Sequence, residues 1–315
     1  MPQRAPARDT ALFQTGEQPR TLAALQAQAE VTFLEGGLDT VGLIGAQLSD
    51  ALISANNGAA LLSSMGGLSQ LQDITRPFHI SRSRVTLRVD PATQVQLART
   101  AGRAGPDTVL LVTDPQDHVS LRIEANGGYD AQVLGALEQD AQADLKPAPK
   151  VKHTNIVSLA AVRQARDRWA RSDSGMHFND ILKDGGPTRL ATLPHVGDGR
   201  AWRIQEQVIV SFLTYLIERR ISFSSQVAGC GFLQGAIVQD GDIRLLDKIL
   251  LVHCDRCHFA LDLSQVASCW VSRFGAVSHL EYYAADGKAI AVLAPDPHNE
   301  LNHWNDLLAS LPRHC

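Results

Sequence analysis

No stretch of the sequence approaches the ~20 apolar residues that a membrane-spanning helix requires. The longest apolar run, from Val208 to Ile217, lies between Gln205-Glu206-Gln207 and Glu218-Arg219-Arg220 and reads as a buried helix. Strong net charge is also missing: the formal value of -4 gives no general drive toward nucleic acid or anionic lipid. Residues 1–20 hold Pro, Arg and polar residues without an apolar core, so they read as a disordered tail rather than a secretory signal, and the expected location is cytoplasmic. The five cysteines are odd in number and unevenly spaced, which argues against a disulfide framework and for free thiols. Several motifs of catalysis are missing as well. Asp184-Gly185-Gly186-Pro187 lacks the Lys-Ser/Thr of a phosphate-binding loop, and neither a Gly-x-Ser-x-Gly elbow nor a His-Glu-x-x-His helix occurs.

The 315 residues suffice for two domains of roughly 150 residues each. A 44% apolar and 20% charged composition is that of an ordinary globular chain. The chain carries signs of an internal duplication. Ser120 to Leu134 lies without gaps on His279 to Leu293, and both read as strand, glycine turn, strand. Upstream, Leu87-Arg88-Val89-Asp90 matches Phe259-Ala260-Leu261-Asp262, at a spacing that differs by a 13-residue insertion. The same order of blocks in both halves argues for a tandem repeat.

Coarse patterning completes the expectation. Thr21 to Glu30 is helical in character, and Leu38 to Met65 reads as two helices interrupted near Asn56-Asn57-Gly58. Val85 to Val89 and Val109 to Val112 read as strands. Residues 138–156, polar and proline-containing, read as a linker. The second half opens with a helix over Ser158 to Ser172, whose Leu159, Val162, Ala165 and Trp169 share a face. A short helix over His177 to Lys183 and strands at Arg189 to Leu193 and Ala201 to Ile204 follow. Next come the apolar helix, a run of hairpin-linked strands and a closing helix near Leu301 to Leu311. Helices followed by an antiparallel, hairpin-rich sheet define an α+β fold. The expected boundaries are a tail at 1–20, a degenerate repeat at 21–137, the linker at 138–156 and a second repeat at 157–315.

The second half resembles the HemS/ChuX family of haemin-degrading and haem-trafficking proteins, over about Ser158 to Leu311. The resemblance runs through Trp169, Met176-His177-Phe178-Asn179-Asp180, Thr188-Arg189-Leu190-Ala191-Thr192-Leu193 and Gly231-Phe232-Leu233-Gln234. It continues through Cys257-His258-Phe259-Ala260-Leu261 and Cys269-Trp270-Val271-Ser272-Arg273. The first half is similar more weakly, through Ile74-Thr75-Arg76. Tandem duplication is common in that family. The resemblance implies a haem held between the halves, with an axial histidine from an Asp-Val-His-Asp-Phe-Phe pattern. Ungapped counting puts Met176 at the ligand position and His177 one residue on, a rotation of about 100° on a helix. Three readings stay open: a one-residue bulge brings His177 onto the iron, Met176 ligates through its thioether, or the ligand has been lost.

Arg76 stands where the family carries a distal arginine, which can hold an iron-bound water or meet a propionate. The same residue also reads as a plain surface arginine. Gln234, Arg203 and Lys248 are further polar candidates for a pocket mouth, each equally readable as a solvated strand residue. The resemblance thus implies haem as cofactor and haem-uptake or haem-degrading proteins as partners, in haem trafficking, haem breakdown or iron acquisition. The expected state is a monomer or loose dimer. The alternative is a non-haem binding or interaction module on the same fold. Enzymatic activity does not follow from these residues, because nothing identifies a reductant site.

Cys254-Asp255-Arg256-Cys257-His258 spells the c-type haem attachment pattern. With His253 in front it also offers two thiolates and an imidazole to zinc. Neighbouring strand residues face opposite ways, however, so a tight turn of chance composition is the simplest reading.

Overall fold

This computed structural model describes residues 21–69, 72–73, 81, 84–90, 93–114, 118–139, 158–171, 181 and 189–314. The first half runs α1 (Leu22–Gln26), β1 (Val31–Leu34), α2 (Leu38–Gly45), β2 (Leu52–Asn56), β3 (Ala60–Met65), β4 (Gln72–Asp73), β5 (Thr86–Val89), β6 (Gln96–Gly102), β7 (Gly105–Thr113), β8 (Val119–Glu124) and α3 (Gly128–Gly135). The second half begins with α4 (Leu159–Arg171), α5 (Arg189–Thr192), β9 (Ala201–Ile204), α6 (Val208–Glu218), β10 (Phe223–Gly229) and β11 (Phe232–Val238). It continues with β12 (Asp242–Leu246), β13 (Ile249–His253), β14 (Cys257–Asp262), β15 (Ser268–Phe274), β16 (Val277–Tyr283), β17 (Ala289–Pro295) and α7 (Leu301–Ala309). Among the described residues no helix is long and apolar enough to cross a membrane.

The strands form two sheets with the same plan. One is ordered β1-β6-β7-β8-β2-β3-β14-β13-β12, the other β9-β15-β16-β17-β10-β11-β5-β4. Each half therefore gives strands to the other's sheet: β14 of the second half pairs with β3, and β5 of the first half pairs with β11. The register matches too, with Ser63 opposite His258 in one sheet and Gly235 opposite Thr86 in the other. This is a duplicated α+β domain whose copies exchange strands.

The core lies between the sheets. Period-two alternation sends Leu280 and Tyr282 inward, together with Leu110, Val112, Val227 and Leu250, where α2, α6 and α7 add Val41, Phe212 and Trp304. Two side-chain amides tie the sheets together, Gln234 buried within this core and Asn57 at the exposed β2–β3 turn. Asn57 Nδ2 donates to the carbonyls of Ala228 (2.9 Å) and Ile290 (2.7 Å), and Gln234 Nε2 donates to those of Ile53 (3.1 Å) and Leu62 (3.0 Å).

Several local expectations need correction. Residues 120–134 are not a hairpin: after β8 the Asn126-Gly127-Gly128 turn opens α3. There Asp130, in the first helical turn, accepts from the backbone of Ser49 (3.0 Å) and Asp50 (2.9 Å). Its structural counterpart is β17 followed by α7, whereas the second copy's strand-turn-strand is β16 and β17. The aligned blocks were thus one strand out of step, and most of the apparent insertion disappears in the structural match. The Leu87 block and the Phe259 block, by contrast, are equivalent exchanged strands, β5 and β14.

Residues 38–65 hold one helix and the β2–β3 hairpin, because Asn57 closes the turn by accepting from the amides of Ala59 and Ala60. Arg189 to Leu193 is helical rather than extended, with Thr192 Oγ1 bonded back to the Arg189 carbonyl (2.7 Å) and Pro194 inside the 3₁₀ turn Leu193–His195 that follows. Helix α4 is as expected and is capped by Ser158, whose Oγ accepts from the Ala161 amide at 3.1 Å. Leu159 on its expected buried face is exposed. Glu138 and Gln139, at the start of the expected linker, bond to Glu35 and Leu34 of the first sheet's edge. The expected helix over His177 to Lys183 lies outside the described residues except for Ile181.

Candidate functional site

The outer face of the second sheet is lined with buried polar side chains. On β16, Glu281 and Tyr283 are fully buried and His279 nearly so, facing away from the core that holds Leu280 and Tyr282. Glu281 receives both arms of the Arg189 guanidinium, Nε at 2.6 Å and Nη2 at 2.7 Å. It also accepts from the hydroxyls of Ser272 and Tyr283. The sequence places Arg189 there by turning α5 back over the sheet, while α4 brings Trp169 flat onto Phe274, ring centroids 3.9 Å apart. The Trp169 indole N–H is held by the Arg273 carbonyl at 2.8 Å, and the Arg189 guanidinium sits 5.0 Å from the Trp169 ring centre.

Electrostatics follow from this packing. Burial pushes the Glu281 carboxyl upward. The charge of Arg189 and the hydrogen bonds from Arg189, Ser272 and Tyr283 outweigh that, so it stays ionised, below its ordinary value. His279 is held neutral, its pKa lowered to about 4, first by burial and further by Arg189, against the opposing pull of Glu281. Burial drives the Tyr283 hydroxyl well above its usual range.

Farther along the same face, Gln226 donates to Ser224 Oγ at 3.1 Å, and both are buried. Among the described residues nothing partners Gln226 Oε1. Beside them Ala228, Leu233 and Val292 form an apolar patch reached by Ile181. At the exchanged edge, Arg88 is fully buried opposite Leu233. Arg88 was not singled out from the sequence, although a cation between Leu87 and Val89 in a strand inside a repeat block was the available signal.

The expected site residues divide sharply. Arg76, Met176 and His177 lie outside the described residues. Their described flanks all reach the second sheet. Trp169, Ile181 and Arg189 pack on its outer face, while β4 pairs with β5 and the Ser81 amide donates to Thr86 Oγ1 at 2.9 Å. The three polar candidates do not converge. Gln234 is buried inside the sandwich with its amide N–H groups committed to Ile53 and Leu62. Arg203 on the edge strand β9 bonds Glu206 (2.6 Å) and the Ala267 carbonyl (3.2 Å). Lys248 is exposed in the turn between β12 and β13, in the other sheet. A shared pocket mouth for these three is therefore corrected by the strand order.

With this arrangement in hand, the whole-chain likeness to solved structures is decisive for the fold. ChuS, an E. coli haem oxygenase, superimposes with a TM-score of 0.73 at 17% identity, covering 96% of this chain and 98% of its own. Holo-PhuS, a haem-binding protein from Pseudomonas aeruginosa, gives 0.73 at 17% identity, covering 98% and 94%. The haem-degrading enzyme ChuS from Escherichia coli O157:H7 gives 0.74 at 17% identity, covering 96% and 97%. The fold is that of ChuS and PhuS. No family model matches the sequence, and no curated protein matches it either. The ChuS/PhuS-type fold thus covers both halves of the chain.

The Cys254–Cys257 motif lies elsewhere, in the turn joining β13 to β14. His253 and His258 stack on one face with ring centroids 4.1 Å apart, while Cys254 and Cys257 point into the core on the other. Imidazoles and thiols therefore cannot meet on one ion. Among the described residues no group of three or more His, Cys, Asp or Glu is arranged to hold a metal.

Proposed function

We propose that the protein binds haem on the outer face of its second sheet, for trafficking or in support of haem breakdown during iron acquisition in the cytoplasm. The observation that carries the reading is the buried polar floor around Arg88, Gln226, His279 and Glu281, on a fold shared over its full length with ChuS and PhuS. The described residues fit such a group. A macrocycle needs an apolar wall, here Ala228, Leu233, Val292 and Ile181. Its propionates need a cation, for which Arg88 and Arg76 are the proposed partners. Bound haem supplies a redox-active iron whose behaviour its axial ligand sets. His177 is the proposed axial donor, with Met176 as the alternative ligand. Arg189 is tied to Glu281 and instead holds the floor rigid.

Haem titration followed in the Soret region tests the proposal, with wild type beside His177→Ala and Met176→Leu. A saturable one-to-one shift is expected. Loss of a true axial ligand should weaken it at least as much as the roughly tenfold cost of losing a group that merely orients a ligand. Absence of a saturable shift in the wild type overturns haem binding. A normal shift unchanged in both variants overturns the ligand assignment alone.

A further inference from the structure

The Cys254–Cys257 turn carries chemistry that the haem reading does not use. His253 opposite His258 is the last ladder pair of β13 and β14, so Cys254 and Cys257 form the next pair, joined by the Cys254 amide to the Cys257 carbonyl at 2.9 Å. Opposite residues in such a pair project to the same side with Cα atoms about 5.5 Å apart, inside the roughly 4.4–6.8 Å that a disulfide spans. The two thiols lie close enough to shift one another, and the Cys257 S–H donates to the Ile237 carbonyl at 3.5 Å.

Their surroundings differ. Cys254 lines a cavity of about 350 Å³ together with Arg220, Asp240, Gly241, His253 and Asp255, whereas Cys257 is not part of that lining. Gly241 keeps the approach open, since a Cβ there would come within 2.9 Å of Cys254 Sγ. Neither thiol is joined in a disulfide in this structure.

We propose that Cys254 and Cys257 form a reversible two-electron redox pair, oxidised by hydrogen peroxide that enters through this cavity. The Cys254 sulfur attacks one peroxide oxygen. The O–O bond breaks, hydroxide leaves and takes a proton to become water, and Cys254 becomes a sulfenic acid. The Cys257 sulfur then attacks Cys254 Sγ and gives its proton to the departing hydroxide, so a second water leaves as the S–S bond forms. In total two thiols and one peroxide become one disulfide and two waters.

The electrostatics fit that division of labour. The Cys254 thiol is lowered by the hydrogen bond from Cys257, against burial, and further by the Gln239 amide, with Asp255 and Asp240 opposing. The Cys257 thiol is raised by its bond to Cys254 and by burial. A thiol lowered from its ordinary value and facing a cavity, with a protonated partner behind it, makes Cys254 rather than Cys257 the attacking sulfur. The turn also touches the first half, where the Met65 amide donates to the Arg256 carbonyl at 2.9 Å. Closing the bridge therefore acts where the exchanged hairpin docks.

The test uses the full reduced chain, treated with about one equivalent of peroxide, alkylated and digested with trypsin without reductant. Cleavage after Arg256 separates the peptide Ile249 to Arg256 from Cys257 to Arg273 unless a disulfide joins them. A joined species that dithiothreitol separates is expected, with fragmentation placing the bond on Cys257 rather than Cys269. In Cys257→Ser, dimedone should label Cys254. Recovery of both cysteines as alkylated, separate peptides, after Cys230 or Cys315 has been consumed, overturns the proposal. So does a bridge to Cys269.

Discussion

The outer faces of the two sheets share a backbone and differ in chemistry. Glu281 lies between Trp270 and Val292, with Gln226 beyond; at the matching place in the first sheet Leu111 lies between Ala98 and Arg122, with Ser54 beyond. The correspondence extends to His279 with Val109 and to Tyr283 with Thr113. Even the register irregularity recurs, before Tyr283 in one sheet and before Thr113 in the other. Yet the first face is closed by an apolar cluster of Leu22, Ala98, Val109 and Leu111 beneath the short helix α1, while the second buries an ion pair. The apolar core between the sheets supports both faces equally. The outer faces were therefore free to diverge, and the polar one is where haem binding is proposed.

The largest test of this contrast gives the second face the residue of the first. Glu281→Leu leaves the Arg189 guanidinium buried without its carboxylate and should cost about 3–5 kcal/mol in denaturant unfolding. Adding Arg189→Met should recover most of the loss, because a buried pair replaced by packed apolar groups is often neutral. A single-variant cost below about 1 kcal/mol would mean that the pair does not organise the face.

A second substitution of the same kind is His279→Val, again the residue of the matching position. Because the native imidazole titrates near 4 and an unfolded one near 6.5, the unfolded chain binds more protons between those values. The stability contribution of neutral His279 is therefore complete above pH 6.5 and is lost as pH falls toward 4, by roughly 3 kcal/mol in all. His279→Val should flatten that part of the stability–pH curve. An unchanged slope would place the titration elsewhere.

The smallest effect concerns the shared core. Asn57→Ala and Gln234→Leu each remove a tie between the sheets and should cost about 1–2 kcal/mol. Hydrogen exchange should quicken in β2 and in β17 together for Asn57→Ala. Quickening in one sheet alone would show that the two faces are supported separately.

How legible the chain was depended on which forces act locally. The α6 run, the strands from β10 to β17 and the Ser158-capped start of α4 were readable because periodicity and capping are local properties. Misreadings fell where tertiary partners decided. Val133 and Leu134 read as a second strand after the glycine turn by their match to residues 279–293, but Asp130 capping the Ser49 loop draws them into α3. Arg189 looks like a strand residue until its carboxylate partner, far along the chain, fixes it over the sheet. Among the site residues, Gln234 and Arg203 were legible as polar strand positions. Sheet order alone put one in the core and the other at an edge.

The sequence by itself determined the duplicated α+β plan, because a hydrophobic pattern repeated in two halves must build two similar sheets. It also determined that thiols and imidazoles alternate in the β13–β14 turn, a consequence of the two-residue period of a strand. Only the tertiary structure decided that β5 and β14 change places between the halves, and that one outer face closes on leucine while the other closes on an ion pair. Those outcomes depend on pairing and burial between residues remote in sequence, where strand edges and desolvated charges find partners that no local pattern names.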